Sequence, residues 1–261
     1  VWSEYQELPE VRQAAGQPEL LPVGYEYETA DLYALDLRRT YCYVISGKAR
    51  TGKTNLLRAM IRSASLKGAG LCVVELSGNE LQADAERYQA EYVTSCEDYY
   101  QFILKILPVF QERNNRKKEL WKQGAEEEEI FVEMSREKPW FILIADLTDY
   151  VRMIYGKEGE ARGLGPAMNN LLEKGSLLNI YFAAGMNWDK RQEVLGKPVF
   201  ETFVSYKAGV HLGGGADEQR LLDFPGISMQ MKSRPDKAGC GLVADLETQK
   251  SFRIVTPLVR G

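Results

Sequence analysis

The stretch that decides the fold is Gly47-Lys48-Ala49-Arg50-Thr51-Gly52-Lys53-Thr54, which matches the pattern G-x-x-x-x-G-K-[ST] at every fixed position. Residues 41–46, just before it, are a short apolar and aromatic run rich in strand formers. Residues 55–62, just after it, have the i, i+3, i+4 apolar spacing of a helix. A strand, a glycine-rich loop and a helix in this order predict a phosphate-binding P-loop. The alternative interpretation is a glycine-bearing surface turn.

The chemistry of a P-loop gives each of these residues a role. The glycines let the backbone turn its N–H groups inward around phosphates, and the helix N-terminus adds a partial positive charge there. We expect Lys53 to reach the β and γ phosphates and the Thr54 hydroxyl to hold Mg²⁺. The predicted nucleotide-binding residues are Gly47, Lys48, Ala49, Arg50, Thr51, Gly52, Lys53, Thr54 and Asn55.

Composition narrows the remaining classes of function. The net charge of −4, from 33 basic and 37 acidic residues, gives no global field that would favour nucleic acid. The four cysteines lie far apart in the sequence and form no C-x-x-C pair. The chain has a single histidine, His211, so the spacing typical of a zinc site is absent. Reduced thiols in a cytosolic setting are the simplest interpretation. We expect His211 to be a structural residue at a strand end.

The hydropathy pattern and the first residues bear on membrane attachment and on whether the chain is part of a longer protein. No apolar stretch approaches the ~20 residues that cross a bilayer, and no signal peptide opens the sequence. The chain starts at Val1 without Met. We therefore expect a piece of a longer protein, whose membrane attachment could lie elsewhere.

Apolar runs along the chain predict an α/β fold. Strands are predicted at 20–24, 32–37, 71–76, 139–146, 177–185, 206–212, 240–245 and 252–255, and helices at 97–138, with a break at Gly124, and at 164–175. Strands alternating with helices indicate a mostly parallel sheet with helices on both faces. Residues 1–19 are polar and are predicted to be a linker or a short lead-in helix.

A basic stretch inside the long predicted helix has two interpretations. Arg113, Arg116, Lys117 and Lys118 are followed, after Gly124, by four consecutive glutamates at 126–129. The stretch could contact DNA or a partner. We favour a solvated helix face, with the acidic run on the returning helix of a hairpin.

Hydrolysis needs a metal-holding carboxylate and a residue that positions water. Asp146 ends an apolar strand about ninety residues after the P-loop, where a Walker B aspartate would sit, and is predicted to hold the metal with Thr54. Its alternative role is to cap the following helix. P-loop motors commonly carry Glu at the next position, which is Leu147 here. Asp149 is the nearest replacement and is predicted, with Asp146, to be catalytic.

Three further residues are candidates by position alone. Asn187 follows the 177–185 strand and could sense the γ-phosphate, or it could be a turn residue. Arg191 and Arg220 could act as arginine fingers towards a neighbouring subunit, although an ordinary surface arginine is the favoured interpretation of each.

Taken together, residues 21–24, the P-loop, the Asp146 strand, the strand at 180–187 and the closing segment 239–242 resemble an FtsK/SpoIIIE-type ATPase domain. More narrowly, they resemble the C-terminal (third) ATPase domain of EssC-type motors of type VII secretion. The resemblance covers residues 20–261, which are predicted to be one ATPase domain. It implies a RecA-like fold, ATP and Mg²⁺ as ligands, and a hexamer in the full-length protein. It also implies a cytoplasmic domain of a cell-membrane protein, with neighbouring ATPase domains and secreted WXG100-class proteins as partners.

Two departures from this family bear on activity. Leu147 stands where an active motor has an acid, and residues 183–185 read Ala-Ala-Gly where DNA-translocating members carry Ala-Thr-Gln. Both predict a domain that binds ATP but hydrolyses it weakly or not at all. The resemblance to terminal domains of type VII motors implies that such a domain couples nucleotide and substrate binding to protein export. One alternative is a fully active export ATPase, with Asp149 or a neighbouring chain placing the water. The other is an FtsK-like DNA translocase, which the acidic charge and the lack of a basic DNA-reading tail disfavour.

Overall fold

The computed structural model describes residues 1–245 and 247–260. The strands, in chain order, are β1 (Leu20–Glu26), β2 (Leu32–Asp36), β3 (Cys42–Gly47), β4 (Gly70–Val74), β5 (Glu91–Val93), β6 (Trp140–Ile144), β7 (Ile180–Met186), β8 (Ala208–Leu212), β9 (Cys240–Asp245) and β10 (Lys250–Val255). The helices are α1 (Trp2–Tyr5), α2 (Pro9–Gly16), α3 (Lys53–Leu66), α4 (Gln82–Arg87), α5 (Cys96–Lys122), α6 (Glu127–Met134), α7 (Leu147–Ile154), α8 (Lys157–Ala161), α9 (Leu164–Lys174), α10 (Pro198–Ser205) and α11 (Met229–Ser233), with a 3-10 helix at Trp188–Glu193.

Within the described residues, ten strands form one sheet in the order β2-β1-β10-β9-β8-β3-β7-β6-β4-β5. The strands from β8 to β5 in this order are parallel, and β9, β10, β1 and β2 extend the sheet by antiparallel pairing. The predicted α/β fold with a mostly parallel sheet is confirmed. Because β7 lies between β3 and β6, one strand separates the P-loop strand from the strand that leads to Asp146.

Helices cover both faces of the parallel strands, so these strands are apolar on both sides. Alternate residues of β3 show this division: Cys42 and Val44 pack into one core with α5, α7, α9 and α10, whereas Tyr43 and Ile45 pack into a second core with α3, α4 and α6. Two buried cores around one sheet hold the carboxyl ends of the parallel strands in fixed positions. Loops at that edge can therefore carry a precise site.

The basic stretch of α5 differs from the favoured interpretation at two positions. Arg116 pairs with Glu133 of α6 and with Glu137 just after that helix. Arg113 and Lys117, however, are buried rather than solvated. Their side chains donate to backbone carbonyls around residues 138 and 174–179 and so fasten α5 to the start of β7.

The two ends of the chain pack against α3. In α1 and α2, Trp2, Tyr5 and Val11 are buried together with Ala59 of α3 and Val259. Lys67, just after α3, donates to the carbonyls of residues 15, 17 and 20, and its burial lowers its pKa to about 8. Among the described residues, no helix combines the length and the apolar character needed to cross a membrane.

Candidate nucleotide-binding site

The P-loop lies at the carboxyl end of β3, between β7 and β8, and leads directly into α3. Its two fixed glycines are required by space. A Cβ on Gly47 would come within 2.4 Å of the Thr51 hydroxyl oxygen, and a Cβ on Gly52 would come within 2.8 Å of the Gly239 nitrogen. Gly52 also has a φ of +106°, which L side chains rarely adopt. A Cβ on Gly213 would come within 2.4 Å of the Thr51 methyl carbon, so the loop is tightly wound with residues 213 and 239 packed against it.

Lys53 is folded back over this loop. Its ammonium donates to the carbonyl oxygens of Gly47 at 3.0 Å and Lys48 at 2.6 Å, and to the Asn187 side-chain oxygen at 2.7 Å. Burial lowers the pKa of Lys53, and the negative charge of Asp146 opposes that shift. All three acceptors are uncharged, so a phosphate oxygen would be a stronger partner for the same ammonium. The structure thus brings Asn187 to the P-loop lysine.

The Thr54 hydroxyl donates to Glu80, with 2.9 Å between the oxygens. Glu80 lies in the loop after β4, and sequence reasoning did not select it. The available signal was its position after a buried parallel strand, because carboxyl ends of such strands meet at the ligand-binding edge of an α/β sheet.

Asp146 caps α7. Its carboxylate accepts hydrogen bonds from the backbone N–H groups of Thr148 at 2.8 Å and Asp149 at 3.2 Å. This contact is the capping role that the sequence left as an alternative. It uses one carboxylate oxygen, and the metal-holding role of Asp146 stays a prediction.

The two residues considered for water positioning lie in different environments. Leu147, the first residue of α7, is fully buried in a core that includes Tyr150 and Val151. The Asp149 side chain is 26% exposed and lies 3.8 Å from Arg152 on the same helix. The position after Asp146 therefore points away from solvent, and Asp149 carries the next carboxylate after that of Asp146 at the start of α7.

The oxygen-bearing side chains at the loop fit Mg²⁺. This ion takes oxygen ligands, usually one or two carboxylates together with substrate phosphates, and keeps several waters. The Thr54 hydroxyl and the carboxylates of Asp146 and Glu80 are groups of this kind. Within residues 1–245 and 247–260, no cluster of three or more His, Cys, Asp or Glu side chains forms a metal site by itself.

Beside the loop opens a cavity of about 390 Å³, a size within the range of small-molecule sites. It is lined by Arg50, Gly52, Lys53, Thr54, Asn55, Glu80, Ala238, Gly239, Thr256 and Leu258. The Asn55 side chain is engaged with the cavity wall: it donates to the Pro257 carbonyl at 3.0 Å and accepts from the Val259 N–H at 2.8 Å. Asn55 thus holds the C-terminal segment in place, and a contact with nucleotide stays a prediction for it.

On its other side the loop meets the segment that follows β8. Lys48 pairs with Glu218 at 3.0 Å. His211 of β8 is buried and bridges Ser46 of the P-loop strand at 3.1 Å to the Gly214 carbonyl at 3.0 Å. The prediction that His211 is structural agrees with these contacts. Arg191 and Arg220 line a shallow cavity there together with Glu218, outside the P-loop cavity.

Comparison with solved structures shows this fold in P-loop ATPases. The cytoplasmic domain of EssC matches with a TM-score of 0.75 and 16% identity, over 93% of this chain and 44% of that chain. ATPases 2 and 3 of EccC from Thermomonospora curvata, in complex with a signal sequence peptide, match with a TM-score of 0.70 and 18% identity, over 95% and 42%. The pCW3 conjugation coupling protein TcpA, in a monomer form with ATPγS, matches with a TM-score of 0.67 and 15% identity, over 92% and 66%.

The predicted resemblance to FtsK/SpoIIIE-type domains of EssC is thereby confirmed at the level of the fold. The chain spans less than half the length of the EssC and EccC chains that it matches. No protein-family model and no curated protein sequence matches it significantly.

Proposed function

We propose that the chain is an ATP-binding domain of a membrane-anchored type VII secretion motor, which hydrolyses ATP weakly and couples nucleotide and substrate binding to protein export. The observation that carries the proposal is the P-loop itself, with Lys53 and Thr54 at the cavity beside it. The ligands would be ATP and Mg²⁺. TcpA, which shares the fold, was solved with ATPγS.

Weak hydrolysis follows from the surroundings of Asp146. The next residue, Leu147, is in the core, so no acid can stand there beside the metal. Asp149 is the remaining predicted catalytic residue, and Arg152 lies close enough to neutralise part of its charge. A domain with intact phosphate-binding residues but a poorly placed water would bind ATP and turn it over slowly.

The partners follow from the likeness to EssC and EccC. Both are chains in which this domain would be one of several, so we propose neighbouring ATPase domains as partners and a hexamer in the full-length protein. EccC was solved with a signal sequence peptide, which supports binding of secreted WXG100-class proteins here. Residues 20–261 would form the ATPase domain, with residues 1–19 as a lead-in segment, on the cytoplasmic side of the cell membrane.

The test is ATP binding measured beside ATP turnover on the purified chain. In Lys53→Ala, binding should weaken about 10- to 100-fold, because a charged hydrogen bond to phosphate contributes about 1.5–3 kcal/mol. Lys157→Ala, an exposed lysine in α8, is the matched control. Wild-type turnover should stay near background.

Each other result has a defined meaning. Binding that Lys53→Ala leaves unchanged would refute the nucleotide site. Rapid, Lys53-dependent turnover would refute weak hydrolysis and favour the fully active motor. In that case loss of turnover in Asp149→Ala would assign the placing of the water to Asp149, whereas turnover that persists would assign it to a neighbouring chain.

A further inference from the structure

The contact between Thr54 and Glu80 has a chemical consequence that the P-loop pattern does not contain. A hydroxyl oxygen that ligates Mg²⁺ offers a lone pair to the metal, and its hydrogen then needs an acceptor elsewhere. In this chain the acceptor is the Glu80 carboxylate, 2.9 Å from the Thr54 oxygen. Glu80 is an exposed residue, so burial does not explain its orientation.

The loop that carries Glu80 is built around a buried carboxylate. Glu75, at the end of β4, is 3% exposed. It accepts hydrogen bonds from the backbone N–H of Glu80 at 2.9 Å, the backbone N–H of Leu81 at 3.0 Å and the Tyr92 hydroxyl at 2.8 Å. These three bonds fix the backbone of Glu80 relative to the sheet. Gly78, with a φ of +91°, supplies the turn that they require.

The same loop is fastened to the helix that carries Thr54. Asp84 of α4 is 1% exposed and pairs with Arg58 at 2.5 Å and Arg62 at 2.7 Å, both on α3. Thr54 is one turn before Arg58 on that helix. Glu80 is therefore held from both sides, by Glu75 before it and by Asp84 after it, at a fixed distance from Thr54.

We infer that Glu80 is the positioning carboxylate of the magnesium site, which accepts the hydrogen of the Thr54 hydroxyl and adds negative charge beside the metal. The inference rests on the proposed function and goes beyond it, because it adds an acid from the loop after β4 to a site whose Asp146 strand lacks a second one. Partners of this kind fix the orientation of metal ligands and raise their basicity.

The inference makes a distinctive prediction about nucleotide affinity with and without metal. A carboxylate beside the phosphates repels bare nucleotide and attracts Mg²⁺. Removing the charge should therefore weaken the binding of the Mg²⁺ complex while leaving bare nucleotide equal or tighter. The gain in affinity that Mg²⁺ confers should fall about 10- to 100-fold, as for other residues behind metal ligands.

The experiment compares wild type, Glu80→Gln and Glu80→Ala on the purified chain. Fluorescent MANT-ATP is titrated in excess Mg²⁺ and in EDTA, and Mn²⁺ bound in the nucleotide complex is measured by electron paramagnetic resonance. Glu86→Gln, an exposed glutamate on α4, is the matched control. Glu80→Gln keeps an oxygen that can accept from Thr54, so its loss should be smaller than that of Glu80→Ala.

Three results would overturn the inference. Equal weakening in Mg²⁺ and in EDTA would make Glu80 a purely structural residue. Tighter nucleotide binding in both Mg²⁺ and EDTA would mean that Glu80 only competes with the nucleotide for Thr54. If Mn²⁺ binding were unchanged in Glu80→Ala, Glu80 would not belong to the metal site. The Mn²⁺ measurement decides the question by itself if nucleotide does not bind in EDTA. Failure of the proposed function is a separate result, because it would show as wild-type binding that Lys53→Ala does not change.

Discussion

Replacement of Leu147 by Glu tests whether the acid of active motors could simply be restored. The position follows Asp146 directly, and an acid there would match the usual pattern. In this fold, however, Leu147 is fully buried among side chains that include Tyr150 and Val151. We expect Leu147→Glu to destabilise the protein strongly and to give no gain in hydrolysis.

The size of the effect can be estimated from two contributions. Loss of a well-packed leucine costs about 2 kcal/mol at the lower end of the range, because glutamate keeps part of its volume. Full burial raises a carboxyl pKa by about 3–5 units, so at about pH 7 the group would be neutral when folded and ionised when unfolded. With an unfolded pKa of about 4.3 and about 1.4 kcal/mol per unit, that difference adds about 3.7 kcal/mol. The total of about 6 kcal/mol is comparable to the whole stability of a typical domain.

The pH dependence provides the sharper signature. A carboxyl whose folded pKa is raised binds more protons when folded, so its penalty grows as pH rises above the unfolded pKa. Between about pH 5 and about pH 7, the destabilisation of Leu147→Glu relative to wild type should grow by about 2.7 kcal/mol. Urea unfolding at both values measures it.

Leu147→Met is the control, since a volume-conserving change should cost less than about 1.5 kcal/mol at either pH. If Leu147→Glu were as stable as Leu147→Met at both pH values, the carboxylate would reach water. Burial could then no longer be the reason that this position lacks an acid, and the argument for weak hydrolysis would lose its main support.

Three further predictions concern charged groups of the site and its supports. The pKa of Lys53 is lowered by burial in the free protein, and a bound phosphate should raise it, so ATP binding at alkaline pH should take up protons. Calorimetry in two buffers of different ionisation enthalpy measures this proton uptake, and its absence would contradict the prediction. Burial also lowers the pKa of His211 below 6.5. The unfolded state therefore binds more protons below about pH 6.5, and stability should fall as pH drops through that value, with a smaller slope in His211→Gln. Asp84→Asn should lower the free energy of unfolding, measured in urea, by about 3–5 kcal/mol, because it leaves Arg58 and Arg62 without their buried carboxylate partner. A decrease under about 1 kcal/mol, as for an exposed ion pair, would refute this prediction.

Local patterns predicted the central part of the fold well. The strand, loop and helix around residues 41–62 were predictable because their geometry depends on neighbouring residues. Element ends were harder. The predicted strand at 177–185 begins only at Ile180, since Asn179 has a positive φ and its side-chain amide donates to carbonyls near the end of α6. The strand predicted at 139–146 ends at Ile144, and α7 starts right after Asp146.

The site was predictable where it follows one stretch of chain and not where separate strands meet. Lys53 and Thr54 belong to a motif, and Asn187 could be proposed because it follows a recognisable strand. Glu80 was missed because its contact with Thr54 depends on the length of the loop after β4 and on the ion pairs of Asp84. Neither leaves a periodic signal in the sequence.

The positions of the carboxylates explain how phosphate binding and hydrolysis could be separated in one P-loop. Glu80 lies beside Thr54, so its charge acts on the side of the loop where metal would be held. Hydrolysis also needs a group, commonly an acid, that places the attacking water, and the side chain that meets the Lys53 ammonium is the uncharged amide of Asn187. Leu147 cannot supply that acid without leaving the core. Charge arranged in this way would stabilise the bound nucleotide and the transition state of its hydrolysis to a similar extent, and uniform stabilisation of that kind increases affinity without increasing turnover.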